Sequence, residues 1–172
     1  MTQLNLMYKL PRQIESEQPG NDLLATLQAR TLKLWDKSSL DIPLLEFTEA
    51  LKIALRAARC SGRIVQGLEM ASQALDNERR GLDLVKRQTA QGARISRLVL
   101  MARDGSRHFY RKADRLLEKH FPRVLGCMIN ADSPGLSSLL FGPETSAKLV
   151  LVCHKEDVSR ILLALMQNKD VF

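Results

Sequence analysis

Two rhythms run along this chain. In roughly the first half, apolar residues recur three and four positions apart, the spacing of one face of an α-helix; later, short continuous apolar runs alternate with charged helical stretches. In the first regime, Asn21 or Asp22 can cap a helix carrying Leu23, Leu24, Leu27, Leu34 and Trp35, which stops near Lys37, Ser38 and Ser39. Asp41 and Pro43 then open a second helix, expected over Leu44–Arg59, with Leu44, Phe47, Leu51, Ala54 and Ala58 on one face. After Gly62 and Gly67 the helical spacing resumes at Leu68, Ala71 and Leu75 and returns at Leu82 and Val85. The charged run Asp76–Arg80 and Gly81 interrupt it, so separate helices are expected rather than one continuous coiled coil. Residues 1–20 read as an arm that closes on Pro19 and Gly20, with a short strand at Leu4–Tyr8.

From Ile95 the second rhythm takes over. Ile95–Met101 is a short apolar, partly β-branched run followed by the turn pair Asp104-Gly105, and Arg107–Lys119 is a basic amphipathic helix carrying Phe109, Ala113, Leu116 and Leu117. Val124–Ile129 reads as a strand, Ser133-Pro134-Gly135 caps a short helix at Leu136–Phe141, Ala147–Val152 is a third strand, and Glu156–Gln167 closes the chain as a helix. Strands alternating with helices of these lengths imply an α/β class. The expected architecture is a three-layer α-β-α sandwich-like domain with a short mixed sheet over residues 42–172. An N-terminal arm and helix over residues 1–41 precede it.

Charge sharpens the picture. The net charge of +7 is concentrated: the segment Lys52–Arg123 holds 17 basic and 7 acidic side chains, whereas the rest of the chain is slightly acidic. An excess this local suits a polyanion such as nucleic acid, although a solvated helix face has the same composition. Aromatic residues make up only 5% of the chain, too few for an extended stacking platform, so structured RNA read through shape and phosphates is favoured over bare single strands. At 172 residues the chain is long enough for one domain with a sizeable core.

Three cysteines, Cys60, Cys127 and Cys153, form neither a C-x-x-C pair nor an even framework, which suits a reducing, cytoplasmic setting. Cys127 and Cys153 fall on apolar strands and read as small buried hydrophobes. His108, His120 and His154 lack ligand spacing, so no metal or other cofactor is expected. No sustained apolar stretch long enough for a membrane span occurs, and no membrane partner is expected. Phosphate-loop, dinucleotide and nucleophile-elbow motifs are absent. Gly62 and Gly67 share the first spacing of a phosphate loop, but Leu68-Glu69 stand where Lys-Ser/Thr is required. Asp104 and Asp132, at the ends of strand-like runs, are the carboxylates an enzyme would use; without a partner acid or nucleophile, a non-catalytic protein is expected.

One short stretch, Ala58-Arg59-Cys60-Ser61-Gly62-Arg63-Ile64-Val65-Gln66-Gly67, joins two helices through paired glycines. It is followed in order by Leu98–Ser106, the basic helix Arg107–Lys119, the strand from Arg123 to Cys127, Leu136–Gly142 and Lys148–Val152. Over about residues 45–167 this succession resembles the kink-turn-binding ribosomal-protein family, especially its YlxQ-like bacterial members. Those chains carry "ARxAGxLVxG" before a helix, an Ala-x-Asp turn and a later "LGxALG" element. The family's Gly-x-Asn-Glu-x-x-Lys becomes Gly67-Leu68-Glu69-Met70-Ala71-Ser72-Gln73 here, which keeps the Gly and a Glu but lacks the Asn and the Lys. An extra stretch, roughly Asn77–Arg94, and the N-terminal helix have no counterpart.

The resemblance implies binding of structured RNA, ribosomal or otherwise associated with translation. The candidate RNA-binding residues are Arg59, Gly62, Arg63, Gly67 and Glu69 around the glycine turn, with Lys86 and Arg87 on the extra basic stretch. Glu69 is favourable at a helix N-terminus for the dipole alone, and as an acceptor it suits a guanine edge. The alternative is a protein–protein interaction module of the same fold that has lost specific RNA contacts, pairing with a protein partner or a second copy through the apolar helices Leu23–Trp35 and Leu44–Leu55.

Overall fold

The computed structural model describes residues 8–15, 20–84 and 94–167. These residues form a six-stranded mixed sheet covered by helices on both faces, an α/β architecture. In chain order the elements are α1 (Arg12–Glu15), α2 (Gly20–Ala29), β1 (Thr31–Leu32), β2 (Ile42–Leu45), α3 (Glu49–Cys60), β3 (Ile64–Gln66), α4 (Leu68–Leu84), β4 (Arg97–Met101), α5 (Arg107–Lys119), β5 (Val124–Ile129), α6 (Ser133–Leu140), β6 (Leu149–Val152) and α7 (Lys155–Ala164). Across the sheet the strands run β1-β2-β5-β4-β6-β3. β2, β5 and β4 are parallel, while β6 pairs antiparallel with both β4 and β3.

The continuous apolar runs are explained by this placement. β4, β5 and β6 are central and have helices on both sides, so both faces of each strand must be apolar. Leu98, Leu100, Leu125, Cys127, Ile129, Val150 and Val152 point to one face, where they pack with α2, α3, α6 and α7. Val99, Met101, Val124, Met128, Leu149 and Leu151 point to the other, against α4 and α5. The period-two alternation of Cβ direction divides each strand between the two cores. Burial pushes the Cys127 thiol well above its ordinary pKa, as the core position requires.

The N-terminal half differs from the periodic reading in two places. The expected helix Leu44–Arg59 is a strand, Ile42–Leu45, followed by a helix that begins at Glu49. Pro43 disfavours a helical backbone at Ile42, and Ile42 and Leu45 are buried in the sheet beside β5. The helix starts where Thr48 Oγ1 accepts from Leu51 N at 3.2 Å. Likewise the expected helix through Trp35 ends at Ala29, and Thr31–Leu32 pairs antiparallel with Ile42–Pro43. Leu23 and Leu27 join one core and Leu34 and Leu40 the other, so the chain passes around the sheet edge between them. The boundary expected at 41/42 therefore falls inside the β1–β2 pair. Asp114, buried on α5, secures the passage by accepting from Trp35 Nε1 at 2.8 Å and Ser38 Oγ at 2.6 Å.

Gly81 does not break its helix: α4 runs unbroken from Leu68 to Leu84, and one turn before the glycine Glu78 is fastened by Arg97 (2.9 Å) and Arg123 (2.8 Å). The residues after it up to 93, and the first part of the expected Leu4–Tyr8 strand, lie outside the described residues. Among the described residues no helix is long and apolar enough to cross a membrane, and no group of three or more His, Cys, Asp or Glu is placed to hold a metal ion.

α4 and α5 share one face of the sheet and are joined across it. Lys119 Nζ donates to Asp76 Oδ1 at 2.8 Å, Arg79 donates to the Lys119 carbonyl at 3.1 Å, and His120 Nε2 stands 3.3 Å from the same Asp76 oxygen. The hydrogen bond from Lys119 holds the Asp76 carboxyl below its ordinary pKa. Burial pushes the His120 imidazole below its ordinary 6.5, with Asp76 opposing. The folded protein therefore keeps His120 neutral at a pH where the unfolded chain protonates it, so stability falls as pH drops below 6.5 toward the lowered folded value. His120→Asn is expected to flatten this decline between about pH 5 and 7 in thermal melts; an unchanged profile would show that His120 titrates alike in both states.

Candidate nucleic-acid interface

The two glycines of the turn have different jobs. Gly62, at φ +70°, ends α3: its N–H reaches the Arg59 carbonyl at 3.0 Å and the Arg63 N–H reaches that of Ala58 at 3.2 Å. Gly67, at φ +88°, is at once the last rung of the sheet and the first residue to accept from the helix. Its N–H donates to Leu149 O at 2.8 Å, while its carbonyl accepts from Ala71 N at 3.0 Å. The chain thus passes from edge strand β3 into α4 within one residue, a reversal that needs a left-handed backbone.

That junction sets the N-terminal turn of α4 beside α5. Between them lies a groove of about 720 Å³. It is lined by the apolar side chains of Leu68, Met70, Phe109 and Leu116, by Gln66, Glu69 and Ser72 from β3 and α4, and by His108, Lys112, Arg115 and Lys119 from α5. These four α5 residues are spaced four, three and four apart and so share one helix face. A second depression adjoins the junction, lined by Gly67, Met70, Phe109 and the loop residues Ser146, Ala147 and Lys148.

The charges on α5 are not equivalent. Arg107 pairs with Asp36 at 3.2 Å, the Arg111 guanidinium lies 4.9 Å from the Trp35 ring centroid, and Lys119 is held by Asp76. Lys112 and Arg115 are exposed and have no ion-pair partner among the described residues. The groove therefore carries net positive potential along one wall and a lone carboxylate, Glu69, on the other.

The expected site residues divide. Gly67 and Glu69 come together at the groove. Arg59 lies on the outer surface of α3, where its Nε donates to the Leu140 carbonyl at 3.2 Å and its guanidinium sits 5.2 Å from the Phe141 ring centroid. Arg63 is turned to α7, 3.0 Å from His154 Nδ1 and 3.6 Å from the buried carboxylate of Asp157. Gly62 stays with these two at the other end of β3, away from the groove. Lys86 and Arg87 lie outside the described residues. The residues that reading did not single out are Lys112, Arg115, Met70 and Phe109; the 108-112-115-119 spacing within an already basic helix was the available signal.

Asp104 and Asp132, the candidate carboxylates for catalysis, both cap α6. Asp104 Oδ1 accepts from the Ser133 N–H at 2.9 Å and its hydroxyl at 2.5 Å, and Asp132 Oδ1 accepts from Gly135 N at 2.8 Å. Burial opposes ionisation of Asp104, but the Ser133 bonds, its own backbone N–H and the nearby Lys148 together hold its carboxyl below its ordinary pKa. Both carboxylates serve as helix caps in this arrangement.

A Cβ at Gly67 would meet nothing within 4 Å, so substitution there tests backbone conformation alone. Gly67→Ala is expected to cost about 1–2 kcal/mol and Gly67→Val about 1–3 kcal/mol, measured by denaturant unfolding, because each forces a side-chain-bearing residue to positive φ. Parent-like stability of both variants would mean the strand-to-helix junction does not require φ +88°.

Comparison with known proteins gives little beyond this geometry. No family model and no curated protein matches the chain. Among solved structures, a protein with unknown function from Bacillus halodurans C is similar over 69% of this chain and 98% of that one, with 13% sequence identity and a TM-score of 0.48.

Proposed function

We propose that this protein binds structured RNA without catalysing a reaction on it, using the face formed by the Gly67 junction and the α4–α5 groove. The observation that carries the reading is the pair Lys112 and Arg115: cations without ionic partners, on one helix face, beside a turn whose glycine leaves open space above the backbone. Phosphates neutralised there release counterions, which drives association with RNA. A groove wall of side chains on a regular helix also fixes cation spacing, as recognition of RNA shape requires. Ribosomal or other translation-associated RNA is the class implied by the resemblance of the Ala58–Gly67 stretch, and the first to be tried.

The alternative, a protein-interaction module, draws less support. Of the apolar residues on the two stretches that would serve it, Leu23, Leu27, Leu51 and Leu55 are fully buried within the protein's own core, and Leu24, Trp35, Leu44 and Phe47 are partly buried against it. Ile53 remains exposed on α3, a single side chain rather than a patch.

Fluorescence anisotropy against a folded RNA with an internal bulge, repeated over a range of salt, tests the reading. Affinity should fall steeply with salt. Lys112→Ala combined with Arg115→Ala should weaken binding at least about tenfold at low salt and reduce the logarithmic salt slope by about 1.5. Both residues are exposed, so the melting temperature should stay within a degree or two of the parent. Salt-insensitive binding, or none to any structured RNA at low salt, would overturn the proposal.

A further inference from the structure

At the opposite end of the sheet from Gly67, two arginines share one carboxylate. Arg97 opens β4 and Arg123 immediately precedes β5. Both reach Glu78, which continues the inward stripe of Ala71 and Leu75 on α4. Arg97 Nε donates to both Glu78 oxygens, at 2.9 and 3.1 Å, and one Nη of Arg123 donates to Oε2 at 2.8 Å. A further Arg97 N–H goes to the Ser96 carbonyl at 2.7 Å. The two arginine side chains are only 18% and 17% exposed, so two cations stand against one carboxylate where solvent is largely excluded. Asp76, the neighbouring carboxylate on α4, is taken by Lys119 and His120. Burial pushes the Arg123 guanidinium below its ordinary pKa; Glu78 opposes the shift and Arg97 adds to it. Among the described residues, Arg97 Nη2 and Arg123 Nε and Nη1 have no acceptor, and none of the three is sealed from solvent.

We propose that this arginine pair holds a second anion, a phosphate group with free oxygens, carried as inorganic phosphate or as the terminal phosphate of a small metabolite. The site is separate from the α4–α5 groove. β4 runs about 13 Å from Arg97 to Met101, whose partner Leu149 receives the Gly67 N–H. Charge selects the class: a recessed excess of positive charge excludes cations and is not relieved by a neutral ligand. Geometry narrows it, because planar guanidinium forks match phosphate oxygens and three unused donors suit a group with three free oxygens. A phosphodiester of RNA keeps two oxygens free and carries an ester on either side, which so recessed a site admits less readily than a terminal phosphate. Glu78 has a second consequence. By gripping both arginines it fixes the forks before an anion arrives, which lowers the ordering cost of binding.

The experiment follows the guanidinium Nε–H resonances of the full chain by heteronuclear NMR. Inorganic phosphate, or ribose 5-phosphate, replaces chloride at constant ionic strength. The Arg97 and Arg123 signals should shift together along one saturating curve, while that of the exposed Arg115 drifts without saturating. By isothermal titration, Arg123→Gln should weaken phosphate binding at least about tenfold. Arg123→Lys, which keeps the charge and loses the fork, should recover only part of that loss. Arg56→Ala, at an exposed position of α3, should bind phosphate like the parent. Tighter binding of ribose 5-phosphate assigns the site to a metabolite, and tighter binding of inorganic phosphate assigns it to the free ion; either supports the proposal. Parent signals of Arg97 and Arg123 that move no more than that of Arg115 overturn it, whether or not any variant folds. An Arg123→Gln variant that melts cooperatively and binds phosphate like the parent also overturns it. So does a bulged RNA that shifts both signals when neither small phosphate does, since the pair then belongs to the RNA face.

Discussion

The geometry of the whole face depends on one peptide unit. At Gly67 the backbone completes the sheet through its N–H and opens α4 through its carbonyl, with no intervening loop. A linker of several residues would let α4 drift relative to the sheet; a one-residue junction does not. The position of α4 is therefore inherited from the β3–β6 pairing, and the groove beside α5 exists because both its walls are tied to the same sheet. At its other end, the Asp76–Lys119 bond and the buried His120 hold the walls together. Walls held at both ends suit the proposed RNA contact, since preorganised contacts lower the ordering cost of association.

Electrostatics then selects among the basic residues. The local excess of positive charge looks uniform along the chain, yet most of its members have internal roles. Arg97 and Arg123 grip Glu78, Arg63 turns to Asp157, Arg59 covers Phe141, and Arg107 and Arg111 fasten the segment around Trp35. Pairing of this kind shrinks the field available to a polyanion to the cations left over. On α5 those are Lys112 and Arg115, and they face the groove.

How much of this was legible in the sequence follows from where each signal resides. The strand Val124–Ile129 and the helix Arg107–Lys119 emerge with their observed bounds, because burial on both faces and a strong amphipathic face are local signals. Ile42–Leu45 does not, since its apolar residues also fit a helical spacing, and only burial beside β5 decides the matter. Gly81 misleads in the opposite direction: a residue of low helix propensity stands within α4, one turn after the anchored Glu78. The glycine turn is visible as a turn, and the structure assigns its ends to separate places, Gly62 with Arg59 and Arg63, Gly67 with Glu69. Which cations remain free is invisible in one dimension, because their partners, Asp36, Asp76, Glu78 and Asp157, are distant in sequence or masked by neighbouring charges of both signs.

The most direct measurement is ultraviolet crosslinking of the full chain to bound RNA, followed by mass spectrometry of the crosslinked peptides. Contact through the Gly67 junction and the α4–α5 groove places the crosslinks within residues 66–72 and 106–119, with Met70 and Phe109 foremost. Crosslinks confined to the Arg59–Arg63 end of the turn, or to the outer surface of α3, would contradict it.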